Sequence, residues 1–369
     1  MIVYKTGSMI ANNISHRAMY HIIFFAFIML FVSIASTSEA LTLGESNCDI
    51  HRALQLTRPD PNGPPTVVDI DLFVIDVSQI KDADQTFQTD FFITIKWKDP
   101  RLSKAALGRS LKHCRILLDE IWNPALNLVN IGGKVQKIYD EKVAVDDEGN
   151  VKYVQRGIGP LLSPFNLEKF PFDKQILPIT FVSLEHGPDE VILNVKTEES
   201  GIREKLSIVG WHIDPEITFE TYTENSPRFG KLSLFKYKIT AERQSNYFVW
   251  VVMFSLSLIV MMAWSVFWID PSELGPQIGI STATVIALIA FRFAISNDLP
   301  RIPFLTVMDK FILFSTLLIF LALGESIIVS KIARGGNVSL ARRIDEHARW
   351  VYLGLFILLL VYTYLQSLY

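Results

Sequence analysis

Two hydrophobic patterns divide the chain at about residue 245. Before that point apolar and polar residues alternate over short stretches, as in 67–77 and 87–97. Beyond it lie four long apolar runs, at about 247–269, 277–297, 305–330 and 350–367. Alternation with a period of two is typical of a strand with one buried face, whereas a membrane-spanning helix needs about 20 mostly apolar residues. The pattern predicts a β domain over 41–245 and a membrane domain over 246–369.

The alternation predicts that the β domain is a sandwich. One face of the second stretch carries five large apolar side chains, namely Phe87, Phe91, Ile93, Ile95 and Trp97. A hairpin is expected over 143–154, and a short helix over 45–56. Further strands are expected at 175–185, 190–197, 208–223 and 231–243. About eight to ten short strands separated by turn residues favour an immunoglobulin-like β-sandwich. The predicted fold is therefore this sandwich joined to an all-α bundle of four membrane helices.

Composition and motifs exclude several functions. The net charge of −3 gives no indication of nucleic-acid binding. The acidic turn 146–150 is similar to a fragment of a calcium loop, but it lacks the terminal glutamate, so a plain β-turn is the better interpretation. Phosphate-binding, dinucleotide, zinc-protease and serine-hydrolase motifs are all missing from the sequence. We expect no enzyme activity, no metal site and no cofactor.

The N-terminus indicates export. Basic residues precede an apolar run over about 18–35, and Ser38-Glu39-Ala40 offers small residues for cleavage, so 1–40 is interpreted as a signal peptide. An uncleaved anchor is the alternative. The β domain and the C-terminus would then both lie outside the cell. The linker 331–347 would lie inside, in agreement with its basic residues Lys331, Arg334, Arg342 and Arg343.

The second membrane segment carries a regular stripe. Six residues recur at spacings of four and three, and at about 100° per residue they share one narrow face of a helix. They are Gly279, Ala283, Ile286, Ala290, Phe293 and Asn297. The stripe is either a seam for close helix packing or the lining of a pore. In a pore, Ile286 and Phe293 would be hydrophobic constrictions.

Several motifs, read together, resemble one family. They are Trp97-Lys-Asp-Pro-Arg-Leu102, Trp122-Asn-Pro-Ala-Leu126, the segment 166–175, Arg243, Trp264-Ser-Val-Phe-Trp268 and Leu299-Pro-Arg-Ile-Pro303. Over about residues 60–369 the chain resembles the pentameric ligand-gated ion channels, which include the Cys-loop neurotransmitter receptors. The resemblance implies five identical subunits around one pore. The short 331–347 linker is similar to that of bacterial members, which implies a bacterial inner membrane with the outer domain in the periplasm.

The resemblance also shows departures from the family. The two cysteines that name the eukaryotic group would fall at Ser163 and Leu177, so that loop lacks its disulfide. The chain has two other cysteines, Cys48 and Cys114, and their sequence separation leaves open whether they pair with each other.

The family's agonist site is an aromatic cage between subunits that suits cationic amines. By resemblance, Phe92, Tyr222 and Phe229 supply aromatic positions, while Val129 and Leu184 are aliphatic. A cage in which only some of the positions are aromatic does not identify the agonist, which could be a small molecule or protons.

The resemblance implies how the two domains are coupled. Arg243 would bridge to Asp173 and Asp82 at the junction. A snorkelling arginine at the membrane interface is the alternative for Arg243. Phe170, Pro171, Pro300 and Pro303 would form the packed contact that transmits movement to the pore helix.

Acidic residues near the pore ends predict cation selectivity. Asp270 and Glu273 would form rings at the inner mouth, and Asp298 would add one near the outer end. The permeant ions would be monovalent cations. Against this, Gly275-Pro276-Gln277 resembles anion-selective receptors apart from Gln277, which replaces their basic residue. An anion channel and a non-conducting periplasmic sensor remain the alternatives.

Overall fold

The computed structural model describes residues 48–300 and 302–368, except for the side chain of residue 274. The predicted signal peptide lies outside the described residues. The outer domain begins with a short helix, α1 (Ala53–Leu56), and has a second, α2 (Lys104–Leu107). Its strands are β1 (Thr66–Lys81), β2 (Thr86–Lys98), β3 (Ile116–Leu117), β4 (Leu126–Leu128), β5 (Gln136–Lys137), β6 (Lys142–Val145), β7 (Asn150–Leu162), β8 (Lys174–Ser183), β9 (Val191–Val195), β10 (Gly201–Ile202), β11 (Trp211–Ile213), β12 (Thr218–Ser226) and β13 (Gly230–Arg243).

These strands form two sheets. The eight-stranded sheet has the order β10-β1-β2-β7-β6-β3, with β5 paired to β7 and β9 paired to β1. The five-stranded sheet has the order β11-β13-β8-β4, with β12 paired to β13. Phe91 of the first sheet packs edge-on against Phe181 of the second, with ring centroids 6.1 Å apart. The predicted sandwich is therefore confirmed.

Alternation along β2 sets its buried face. Phe87, Phe91, Ile93, Ile95 and Trp97 are all 5% exposed or less, and together they form part of the core between the sheets. Burial of such large apolar side chains is the main favourable contribution to folding of this domain.

Two predicted elements are shorter than expected. The stretch 208–223 contains two strands, β11 and β12, because Pro215 lies between them and cannot donate a ladder hydrogen bond. The carboxylate of Asp214 accepts from the backbone N–H of Glu216, which stabilises this turn. Of the helix predicted over 45–56, only α1 is helical among the described residues.

The acidic turn between β6 and β7 is a plain turn. The Asp146 carboxylate accepts from the N–H groups of Glu148 and Asn150 and from the Asn150 amide, at 2.7–3.0 Å. Both carboxylate oxygens of Asp146 therefore accept hydrogen bonds from groups within the turn. Within 48–300 and 302–368, no group of three or more His, Cys, Asp or Glu side chains could hold a metal ion.

Both cysteines of the chain are oxidised. Cys48 and Cys114 are each disulfide-bonded. At the first position where the resemblance places a cysteine of the eukaryotic group, the Ser163 hydroxyl donates to the carbonyl of Ile176 at 2.6 Å. Leu177, the next residue, is fully buried.

Within the described part of the chain, four helices are long and apolar enough to span a membrane. They are α3 (Phe248–Trp268), α4 (Leu274–Ile295), α5 (Val307–Arg334) and α6 (Val338–Leu368). A capping box starts α5, since Thr306 and Asp309 exchange side-chain to backbone hydrogen bonds. The prediction of an outer β-sandwich followed by a four-helix membrane bundle is confirmed.

The linker predicted over 331–347 is corrected. Only residues 335–337 separate α5 from α6, because α6 begins at Val338 rather than near residue 350. The first three turns of α6 are amphipathic, so no continuous apolar run marks them in the sequence. Arg342, Arg343 and Glu346 are exposed there, while Ala341 and Asp345 are buried.

Candidate functional site

The predicted stripe lies on the side of α4 that faces away from the rest of the chain. All six residues of the stripe are exposed, with Ile286 at 62% and Phe293 at 77%. Five of them lie on α4, but the helix ends at Ile295, so Asn297 lies in the turn beyond it and not on the helix predicted to reach 297. The buried residues of α4 are Gln277, Ser281, Thr284, Leu288 and Ile295. At about 100° per residue, the buried set centres roughly opposite the stripe. A packing seam within the subunit is thereby excluded for the stripe, which is left free for contact with other copies or with a water-filled path.

Other residues of α4 do not belong to this face. Gln277 donates to the carbonyl of Ile269 and accepts from the Ser330 hydroxyl on α5 at 2.7 Å, so its amide points into the bundle. Arg292 is exposed, but helical periodicity places it well off the stripe. The stripe is thus apolar except for Asn297 at its end.

The junction between the two domains is built around Arg243, the last residue of β13. Its Nε donates to Asp173 at 2.8 Å, and its Nη2 donates to Asp82 at 2.8 Å and to Asp173 at 3.2 Å. The guanidinium also stacks on Trp211 and Phe170, at 4.1 and 4.8 Å from the ring centroids. The structure therefore brings together the three residues that the resemblance grouped.

The charge of Arg243 is secured by these partners. The side chain is 8% exposed, and burial alone would lower the pKa of its guanidinium. The hydrogen bonds and charges of Asp173 and Asp82 outweigh burial and raise the pKa above its ordinary value. The snorkelling interpretation fails because the head group is buried between acids and aromatic rings.

The loop that ends at Asp173 contacts the membrane helices directly. The N–H of Met308 donates to the backbone carbonyl of Phe170 at 3.1 Å, and the N–H of Val307 donates to the backbone carbonyl of Glu168 at 3.1 Å. The Phe170 ring also packs edge-on against Phe248 of α3 at 4.8 Å. The loop therefore satisfies the free N–H groups at the start of α5.

The prolines of the predicted contact are dispersed. Pro300 lines one small cavity with Asp82, so the β1–β2 turn lies next to the end of α4. Pro171 is buried beside Phe170, whereas Pro303 is exposed. The contact from the loop to the membrane domain runs through Phe170 and the start of α5, and Pro303 takes no buried position in it.

The three candidate selectivity acids differ in their surroundings. Asp270 is ion-paired with Arg342 of α6 at 2.9 Å, and the Asp298 carboxylate accepts from the Tyr247 hydroxyl at 2.9 Å. Hydrogen bonds from Ser272, and then Arg342, hold the pKa of Asp270 below its ordinary value. Glu273 is exposed at the position that caps the start of α4. The sequence argument named all three as candidate rings, and the structure gives Asp270 an ion-pair partner that the sequence did not indicate.

The predicted ligand residues fall into two groups. Leu184 and Tyr222 pack against one buried cluster of the five-stranded sheet, and Val129 lies beside its strand β8. Phe229 is half exposed at the tip between β12 and β13. Phe92 lies on β2 of the other sheet. One subunit therefore does not bring all five residues together, as expected for a site shared by two subunits.

Sequence reasoning missed the cations that cover the three aromatic candidates. Arg156 lies over the Phe92 ring at 5.6 Å, Lys236 over Tyr222 at 5.3 Å, and Arg228 over Phe229 at 5.4 Å. Arg156 is also ion-paired with Asp90 at 2.6 Å, and Tyr139 stacks on Phe92. Arg228 and Phe229 are neighbours in the turn between β12 and β13, whereas the sheet register places Arg156 opposite Phe92 and Lys236 diagonally from Tyr222.

Comparison with known proteins agrees with this architecture. The family model for the neurotransmitter-gated ion-channel ligand binding domain matches residues 52–246. The model for the neurotransmitter-gated ion-channel transmembrane region matches residues 257–337. The first match covers the sandwich and the second covers most of α3 together with α4 and α5.

Three curated relatives illustrate the family. A proton-gated ion channel of Gloeobacter violaceus is 25% identical over 288 residues, covering 76% of this chain and 79% of the relative. The gamma-aminobutyric acid receptor subunits rho-3 of Rattus norvegicus and Homo sapiens are each 25% identical over 281 residues. That match covers 73% of this chain but only 59% and 58% of the two subunits. With both of its domains matched in order, the chain belongs to the neurotransmitter-gated family of ligand-gated ion channels.

Proposed function

We propose that this channel is a homopentamer in which α4 of each subunit lines the pore. The observation that carries the proposal is the exposed stripe from Gly279 to Asn297, which lies opposite the buried face of α4. Five copies around an axis would cover the stripe with one another and with water. Ligand-gated channels are not enzymes, in agreement with the lack of catalytic motifs in the sequence.

The gate is proposed to be hydrophobic. Ile286 and Phe293 are the two large side chains of the stripe, and rings of such residues close a pore by excluding water. Ile286→Ser is expected to increase opening without agonist, because a polar ring holds water. Single-channel recording of the purified protein in liposomes measures this. Leu258→Ser, at an exposed position of α3, is the control. Equal opening in both variants would remove Ile286 from the gate.

Cation selectivity is proposed to depend on Glu273. Asp270 is held by Arg342, so Glu273 is the inner acid with the freer carboxylate. Glu273→Lys is expected to move the reversal potential in a sodium chloride gradient toward the chloride potential, since five carboxylates become five ammonium groups. Glu346→Lys on the exposed face of α6 is the matched control. An unchanged reversal potential would contradict the proposal, and a wild-type potential near that of chloride would favour the anion channel.

The agonist is proposed to carry an acidic group. Each aromatic candidate, Phe92, Tyr222 and Phe229, already has a cation of this chain over its ring. A bare amine would meet repulsion there, whereas a carboxylate could pair with Arg228. Single-channel recording with amines, amino acids, simple carboxylates and pH steps tests the class. Activation by amines that lack an acidic group would contradict it, and activation by pH steps alone would favour protons.

We further propose a bacterial inner membrane as the location, with the outer domain in the periplasm. Arg334, Arg342 and Arg343 lie at the end of the membrane domain that is remote from the sandwich, as the positive-inside rule requires. A non-conducting sensor would have the same fold, but it would give no currents in liposomes under any agonist of the panel.

A further inference from the structure

Two acidic side chains meet at the inner end of the membrane domain, the end remote from the sandwich. Glu325 of α5 and Asp345 of α6 bring their carboxyl groups within hydrogen-bonding range of each other. Asp345 is only 3% exposed. All four carboxylate oxygens are buried and receive no hydrogen bond from any described residue. Two ionised carboxylates cannot satisfy each other, because neither has a proton to donate.

The charged neighbours of this acid pair are few. Arg349 of α6 acts on Asp345 by charge, but its Nη2 donates to the carbonyl of Phe267 at 2.9 Å instead. Its guanidinium stacks on Trp268 at 3.9 Å from the ring centroid. Asp270, in the linker between α3 and α4, also acts on Asp345 by charge, and it is ion-paired with Arg342.

Asp270 adds little net charge near the pair, because Arg342 neutralises it. Among the described residues, Arg349 is therefore the cation that acts on Asp345 without an acidic partner of its own in an ion pair.

Charge balance indicates what the pair binds. Two ionised carboxylates and Arg349 would leave one uncompensated negative charge out of water, which is strongly unfavourable. One proton makes the cluster neutral and supplies the missing O–H donor. A metal ion fits poorly, since Ca²⁺ and Mg²⁺ take six or more oxygen ligands and a guanidinium lies alongside. We propose that Glu325 and Asp345 form a proton-binding site that holds one shared proton between α5 and α6 at neutral pH.

The site is connected to the start of the pore helix. The indole N–H of Trp264 donates to the backbone carbonyl of Arg349 at 2.9 Å. This hydrogen bond attaches α6 to the end of α3. Arg342 fastens α6 to Asp270 in the linker that leads into α4. Release of the proton would place like charges between α5 and α6 and weaken this attachment. The effect on opening rests on the proposed channel function, whereas the proton site does not.

The proton itself can be detected without any current. Infrared spectroscopy of the purified wild type at neutral pH is expected to show a buried protonated carboxyl band that disappears in Asp345→Asn and in Glu325→Gln. Glu346→Gln is the matched control, because it removes an exposed acid one residue away. A wild type without the band, or a band that persists in both variants, would overturn the proposal. Two variants are used so that a folding failure in one leaves the other informative.

Recording with varied pH on the inner side tests the consequence. Open probability is expected to change with inner pH, since each of the five subunits would carry one such site, and to lose this dependence in Asp345→Asn. The same dependence in the variant would overturn the link to gating. Replacing sodium by a large organic cation at fixed pH should leave the infrared band unchanged, and a change would favour a metal cation. If neither the wild type nor any variant gives a current in any condition, the proposed function fails while the infrared result still decides the site.

Discussion

Two clusters at opposite ends of the membrane domain have the same ingredients but opposite arrangements. Each has one arginine, two acids and aromatic packing against the guanidinium, from two rings at the outer end and one at the inner end. At the outer end, Arg243 gives its hydrogen bonds to both acids. At the inner end, Arg349 gives its hydrogen bond to a backbone carbonyl, and Asp345 and Glu325 receive none from any described residue.

The difference lies in where the donors point, not in the residue types. At the outer end the guanidinium of Arg243 donates hydrogen bonds to both acids, so each acid has a cationic partner. At the inner end the two acids receive no hydrogen bond from any described residue, and the proposed proton completes the cluster.

The largest effect is expected from substitution of Arg243 in the outer cluster. Arg243→Gln is expected to cost about 3–5 kcal/mol of stability and to abolish agonist responses, because Asp173 would stay buried without its partner. Thermal unfolding and single-channel recording measure the two effects. Asp173→Asn in the same background is expected to restore part of the stability. Arg203→Gln, an exposed arginine of the same domain, is the control. Similar losses in Arg243→Gln and the control would contradict the buried network.

Arg349 gives the matching test at the inner end. Arg349→Gln is expected to cost less, roughly 1–2 kcal/mol, because it removes a carbonyl hydrogen bond and a ring contact but no direct ion pair. The cost should shrink in an Asp345→Asn background, where the acid pair no longer carries a negative charge. A double-mutant cycle of thermal unfolding measures the coupling. Additive effects would mean that Arg349 does not balance the acid pair.

The smallest effect is expected at the exposed ion pair between Asp270 and Arg342. The pKa of Asp270 is lowered in the folded protein, so its ionised form stabilises the fold above its ordinary pKa of about 4, and this contribution is lost as pH falls. Asp270→Asn should therefore reduce the difference in unfolding temperature between neutral pH and about pH 3. Asp298→Asn serves as the comparison at the outer end. A larger acid-side loss in Asp270→Asn than in the wild type would show the opposite sign.

Sequence reasoning reached the outer cluster but not the inner one. The motifs around 166–175 and the arginine at 243 carried the resemblance that grouped Asp82 and Asp173. Glu325 offered a signal that was not used, since an acid inside an apolar run is costly and commonly functional. Asp345 offered none, because the apolar search began α6 near residue 350 and left Asp345 in a linker.

Selectivity illustrates the same limit. Asp270 and Glu273 are equivalent in a sequence, since both are acids between two apolar runs. Only the packing of α6 against the α3–α4 linker places Arg342 beside Asp270 and leaves Glu273 exposed. A pairing of this kind depends on which surfaces meet, and no local pattern records it.

The sequence by itself determined the two halves of the protein and the stripe on α4. These features follow from periods of two and about 3.6 residues and from the length of apolar runs, which backbone geometry and the membrane fix locally. The tertiary structure decided which charges are paired. Arginine donors are directional and reach only a few ångströms, so the positions of whole strands and helices determine that Asp173 is satisfied while Asp345 shares its burial with another acid.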